Sequence, residues 1–128
     1  MSLSEHVQKF VELCEQGRTL QAMDAYYAED VVVYENHERA RTGRDECRAY
    51  EERALQQVRQ SSLKARARAV EARDGVAFIE WLIRFVGDDG RPMRLEEVAV
   101  QRWAGGRIIE ERFYYAGVID EGDEDAET

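Results

Sequence analysis

Tyr26-Tyr27-Ala28-Glu29-Asp30-Val31-Val32-Val33-Tyr34-Glu35-Asn36 divides the chain into a helical part and an extended part. Upstream, Leu20, Met23 and Tyr27 share one face of a helix predicted over residues 19–27, and Asp30 marks its exit. Val31-Val32-Val33-Tyr34 is β-branched and aromatic, and such side chains pack on a pleated surface, so the chain turns extended there.

Toward the N-terminus, Leu3, Val7, Phe10, Val11 and Cys14 form one stripe of a helix over residues 3–16. Ser2-Leu3-Ser4-Glu5 has the spacing of a capping box and Gly17 closes the helix. Toward the C-terminus, Thr42-Gly43-Arg44-Asp45 reads as a turn feeding a third helix, on which Cys47, Tyr50, Ala54, Leu55 and Val58 recur at three- and four-residue steps. From Ser62 the period changes to two. Leu63, Ala65, Ala67 and Ala69 alternate with Lys64, Arg66 and Arg68 until Asp74-Gly75 supplies a hairpin turn.

Gly87-Asp88-Asp89-Gly90 and Ala104-Gly105-Gly106 are further turns, which makes the second half an antiparallel meander of four strands. The last three strands fall at 76–86, 94–103 and 107–116. In the first of these, Phe78 and Leu82 lie on one side and Ile79, Trp81, Ile83 and Phe85 on the other. A sheet that is apolar on both faces must be covered twice. The expected class is α+β, three N-terminal helices packed in the concave face of a curved, mostly antiparallel sheet. A second copy of the chain covers the convex face, so a homodimer through the sheet is expected. Trp81 and Trp103 read as core or dimer aromatics, with a ligand-platform role at the cone mouth left open to Trp103.

Twenty-seven acidic against 18 basic side chains give a net charge of −9, which repels phosphate backbones and anionic headgroups. Neither nucleic acid nor a membrane is an expected partner. No apolar run approaches bilayer length and the N-terminus lacks the basic-then-apolar order of a signal peptide, so a cytoplasmic protein is expected. Cys14 and Cys47 lack metal or redox spacing and read as reduced, half-buried small hydrophobes. The absence of a glycine-rich phosphate loop, of G-x-S-x-G and of a His/Cys cluster removes nucleotide hydrolysis, triad hydrolysis and zinc chemistry from the front rank. No metal or cofactor is expected. His6 reads as a surface residue and the Lys64, Arg66, Arg68 stripe as a solvated or ion-paired face. Residues 119–128, rich in Asp and Glu, read as a disordered acidic tail beyond a domain spanning 1–118.

The element order, with Tyr26 to Asn36 as quoted and Thr42-Gly43-Arg44-Asp45, resembles the SnoaL-like branch of the nuclear-transport-factor-2-like superfamily, a cystatin-like cone. The resemblance implies a conical pocket more firmly than it implies a reaction. By resemblance to the ketosteroid isomerases, Glu35 stands where the general base sits, but the oxyanion-hole residues correspond to Phe10 and Ala99, which donate nothing to an enolate. By resemblance to the limonene-epoxide hydrolases, Tyr34-Glu35-Asn36 matches the segment that positions water, while the acid–base network corresponds to Leu82, Glu80 and Phe113. Phe113 also replaces the carboxylate of the polyketide cyclases.

With the family register, Glu80, Leu82 and Arg84, then Glu97, Ala99, Gln101 and Trp103, then Glu111, Phe113 and Tyr115 face the hollow. Glu35 and Glu80 are the expected catalytic carboxylates, one or the other holding a raised pKa and serving as acid or base, and Tyr34, Asn36, His37, Arg84, Glu97, Gln101, Trp103, Glu111, Phe113 and Tyr115 the expected ligand contacts. Carboxylates so close cannot all ionise. A one-residue slip instead turns Glu80, Glu97 and Glu111 to solvent or to Arg102 and Arg112. Strict alternation also sets Tyr34 and Asn36 against Glu35 unless a bulge intervenes. The expected function is binding of a small, largely apolar molecule, with cofactor-free isomerase, dehydratase or hydrolase chemistry through carboxylates. The alternative is a non-catalytic ligand-binding or dimeric assembly module.

Overall fold

The computed structural model describes residues 1–122. Helix α1 (Leu3–Glu15) opens with the expected capping box, the Glu5 amide donating to the Ser2 hydroxyl at 3.2 Å. Helices α2 (Thr19–Tyr26) and α3 (Arg44–Gln57) follow, separated by strands β1 (Tyr27–Glu35) and β2 (Glu38–Thr42). The remaining strands are β3 (Arg59–Glu71), β4 (Val76–Val86), β5 (Pro92–Ala104), β6 (Arg107–Tyr114) and the short β7 (Ile119–Asp120). The class is α+β, three helices on a curved, mostly antiparallel sheet of seven strands.

The strand order is β2-β1-β6-β5-β4-β3, with β7 on β5. β1 runs parallel to β6, and all the other pairs are antiparallel. The core lies between the helices and one face of the sheet: Val7, Phe10, Val11 and Cys14 of α1, Ala22 and Met23 of α2 and Cys47 of α3 meet Val31, Val33, Ile79, Trp81, Ala99 and Ile108. Both cysteines are fully buried rather than half-buried. Tyr50 and Leu55 of α3 are 40% exposed.

Three sequence expectations change. β2 is a strand where only a turn was expected; its residues Glu38-Arg39-Ala40-Arg41-Thr42 are charged, which masks the pairing. His6 is half-buried, stacked 6.1 Å from Trp103. Ile119 and Asp120 pair with Arg94 and Met93, so the chain beyond 118 begins as structure; residues 123–128 lie outside the described residues. Asp120 and Glu121 find arginines there, Arg91 at 2.6 Å and Arg84 at 3.1 Å, which offsets their mutual repulsion. The basic stripe is as expected, with Arg66 ion-paired to Glu80 and Glu96 and Lys64 and Arg68 exposed.

On the outer face of the sheet Phe78, Val98 and Tyr114 remain 38–46% exposed. Among the described residues no helix is long and apolar enough to cross a membrane.

Candidate functional site

Strand parity decides the site. In β4 the inward residues are Ile79, Trp81, Ile83 and Phe85, because Trp81 pairs with Glu97 and Ile79 with Ala99 across the β4–β5 ladder. Glu80 and Arg84 therefore point outward, against expectation. The Glu80 carboxylate lies 3.3 Å from Arg66, and Arg84 donates to Glu121. Leu82 shares their face. The physical reason is burial: turning Glu80 and Arg84 inward would expose four large apolar side chains. On β5 and β6 the expected parity holds, and Glu97, Ala99 and Gln101 face Glu111 and Phe113 across the sheet.

β1 is irregular against β6 between Tyr27 and Val32, but from Val31 onward it alternates: Val31 and Val33 are buried and Glu35 follows them inward. The extra residue lies in the partner strand, where Val33 pairs with Arg41 and Tyr34 with Arg39, leaving Ala40 over. Tyr34 consequently faces outward beneath the Arg112 guanidinium, 4.1 Å from its ring centre. Asn36 closes β1 at φ 55, a conformation asparagine tolerates. Its side-chain oxygen accepts from the Tyr115 amide at 3.1 Å. His37 is exposed at the turn, beside a shallow polar depression bordered by Glu35, Glu38 and Tyr115. Neither Tyr34, Asn36 nor His37 lines the main hollow.

That hollow has a volume of about 350 Å³ and lies between the helices and the inner sheet face. Its walls are mostly apolar, with Phe10, Met23, Trp81, Phe85 and Phe113 among them. Four carboxyl groups reach it: Glu35 from β1, Glu51 from α3, Glu97 from β5 and Glu111 from β6. Two of them are tied down. Glu35 accepts from Arg41 Nη1 on one oxygen and from the Tyr115 hydroxyl on the other, each at 2.8 Å. That bond to Glu35 pushes the Tyr115 hydroxyl up to about 12.

Glu111 is 1% exposed. The Tyr27 hydroxyl donates to its Oε1 in a short bond, and Gln101 Nε2 donates to its Oε2 at 2.7 Å. Trp103 Nε1 donates to Gln101 Oε1 at 3.0 Å, which fixes the amide the right way round. Trp103 is thus a core residue at 7% exposure, packed on Phe10, Tyr26 and His6, and does not sit at the mouth. Burial holds Glu111 above the usual carboxylate range in spite of its two donors, and it raises Tyr27 as well.

The other two carboxyls, Glu97 and Glu51, have no hydrogen-bond partner among the described residues. Burial, then the charges of Glu111, Glu35 and Glu51, push Glu97 up to about 8, with Arg41 pulling the other way. Burial raises Glu51 too. At neutral pH the wall therefore presents a carboxylic acid at Glu97 that can give or take a proton. The thiols do not compete as nucleophiles: burial raises Cys14 strongly and Cys47 to about 11. Among the described residues no group of three or more His, Cys, Asp or Glu side chains has the placement of a metal site.

A profile of the SnoaL-like domain matches residues 7–111. The chain belongs to this SnoaL-like family. Solved structures agree on the fold. A protein of Mesorhizobium loti, provisionally named a SnoaL-like polyketide cyclase, superposes with a TM-score of 0.75 at 24% identity, over 90% of this chain and 100% of that one. The epoxide hydrolase/cyclase-like enzyme SalBIII, which takes part in pyran ring formation in the polyether salinomycin, gives 0.77 at 11% identity over 92% and 95%. A limonene-epoxide-hydrolase-like enzyme of Mycobacterium tuberculosis gives 0.71 at 15% over 89% and 82%. No curated protein matches the sequence significantly.

Three members of this SnoaL-like site escaped the sequence reading. Arg41 was hidden by the unrecognised β2; a hairpin across Asn36-His37 would have aimed it inward beside Val33. Glu51 follows Cys47 by four residues and precedes Ala54 by three, and so lies on the apolar stripe of α3, a visible signal. Tyr27 was assigned to a helix end, although it opens β1.

Proposed function

We propose that this SnoaL-like domain binds a small, largely apolar molecule in its hollow and exchanges a proton with it through Glu97. Glu35, clamped by Arg41 and Tyr115, serves as the fixed second carboxylate. The reaction class is a cofactor-free isomerisation, dehydration or hydrolysis. The observation that carries this reading is the unpartnered Glu97 carboxyl in the wall of an apolar cavity, its affinity for protons raised to about 8. The names of the structural neighbours, an epoxide hydrolase and cyclases among them, support the class. Glu80, on the outer face, has no part in it.

The test is turnover of a panel of apolar epoxides, β-hydroxy ketones and enones between pH 5 and 9. Any activity found should fall about 100-fold in Glu97→Gln, the contribution of a positioned acid or base. Undiminished turnover in that variant rejects the assignment.

A second copy of the chain is the proposed cover for Phe78, Val98 and Tyr114, which the inner core leaves exposed on the outer face. Light scattering at micromolar concentration should give twice the chain mass, and Val98→Glu should halve it. A monomeric parent protein rejects the homodimer.

A further inference from the structure

We propose that the molecule this hollow takes carries a basic amine on an apolar body, the nitrogen lying against Glu97 and Glu51. The inference rests on the reading of the cavity as a small-molecule site and names the chemistry of its occupant.

Four carboxyls and a single guanidinium, that of Arg41, line the cavity. In the lining Arg41 is committed to Glu35 and Tyr27 to Glu111, and Tyr115 and Gln101, outside the lining, donate to the same two carboxylates. Among the described residues, the lining carboxyls left without a hydrogen bond are Glu97 and Glu51. A carboxylate or phosphate ligand would be repelled by them, and the Arg41 guanidinium is already engaged. An amine satisfies both groups: it arrives as the ammonium, and its N–H bonds go to the two carboxyls. On binding, the Glu97 O–H bond breaks and its proton passes to water, leaving an ammonium–carboxylate pair. No other reactant is needed.

The walls suit the same charge. Phe10, Tyr50, Trp81, Phe85 and Phe113 surround the cavity, and aromatic faces attract cations as well as apolar surface. Arg41 already lies 3.9 Å from the Tyr50 ring centre, an internal instance of that attraction.

The groups that act on Glu97 are Glu111 of β6, Glu35 of β1, Glu51 of α3 and Arg41 of β2. Their balance sets a sign that separates amines from neutral ligands. Below about pH 8 both Glu97 and a free amine carry protons and binding releases one, so amine affinity rises as pH approaches 8. A neutral oxygen ligand needs the protonated acid as donor and weakens above that pH.

Calorimetric titration with 1-adamantanamine, 1-adamantanol and 1-adamantanecarboxylate, and with the cyclohexyl series, between pH 6 and 9 tests the proposal. The amine should bind about tenfold more tightly than the alcohol at pH 8, as a charge-assisted hydrogen bond implies. Glu97→Gln should close that gap, and Glu51→Gln should narrow it. If the alcohol binds as well as the amine, or the gap survives in Glu97→Gln, the amine is overturned while the small-molecule site stands. If no compound of either series binds at millimolar concentration, both readings fall.

Discussion

Glu111→Ala should lose about 3 kcal/mol of unfolding free energy, while Glu111→Gln loses about 1, because a stranded buried donor costs far more than a shortened network. The alanine variant strips the acceptor from the Tyr27 hydroxyl and the Gln101 amide together and opens a void beside the hollow. Gln101 cannot turn over to compensate, since its oxygen holds Trp103 Nε1. Glutamine at 111 keeps the volume and one acceptor. Adding Tyr27→Phe to Glu111→Ala should recover part of the loss by removing an orphaned hydroxyl. Urea denaturation reads all three, and equal stability of the alanine variant and the parent would show the buried bonds to be without net worth.

The second large effect is on pH. Glu97 is raised in the fold from about 4.5 to about 8, so between these values the folded chain keeps a proton that the unfolded chain has released. Its contribution to stability is fully present below pH 4.5, declines as pH rises, and is gone above about 8. Each pH unit of such a shift is worth about 1.4 kcal/mol, and solvent at the mouth reduces the whole to about 2–3 kcal/mol. Burial raises Glu111 and Glu51 in the same direction, which steepens the slope. Glu97→Gln should flatten the curve, meeting the parent below pH 4.5 and exceeding it at pH 8. Parallel curves for parent and variant across that range would mean that Glu97 titrates as an exposed residue does.

The helices and the meander were legible because their signals are local. Val7, Phe10, Val11 and Cys14 repeat at helical spacing, and Asp74-Gly75 and Gly105-Gly106 punctuate the strands. The site was legible only in part, since which face a residue takes depends on its neighbour across the ladder. Glu97 and Glu111 were placed inward correctly, but Glu80 was placed with them by family register, although Trp81 and Ile83 beside it held the stronger claim to the interior. The conflict between Tyr34 and Glu35 was settled inside β1, where buried Val31 and Val33 carry Glu35 inward, and the extra residue, Ala40, lies in the next strand. Arg41 was lost with that strand, whose charged residues carry no alternation of apolar groups.

Strand β3 ends the sheet on one side over 13 residues, long enough to recruit a foreign strand, although the Ala65 amide already donates to Glu15 of α1 at 3.0 Å. The exposed Lys64 and Arg68 along it oppose like charges whenever two such borders approach. That row is a built-in guard against fibrous aggregation, and it leaves lateral stacking of sheets as the safer way for copies of the chain to associate.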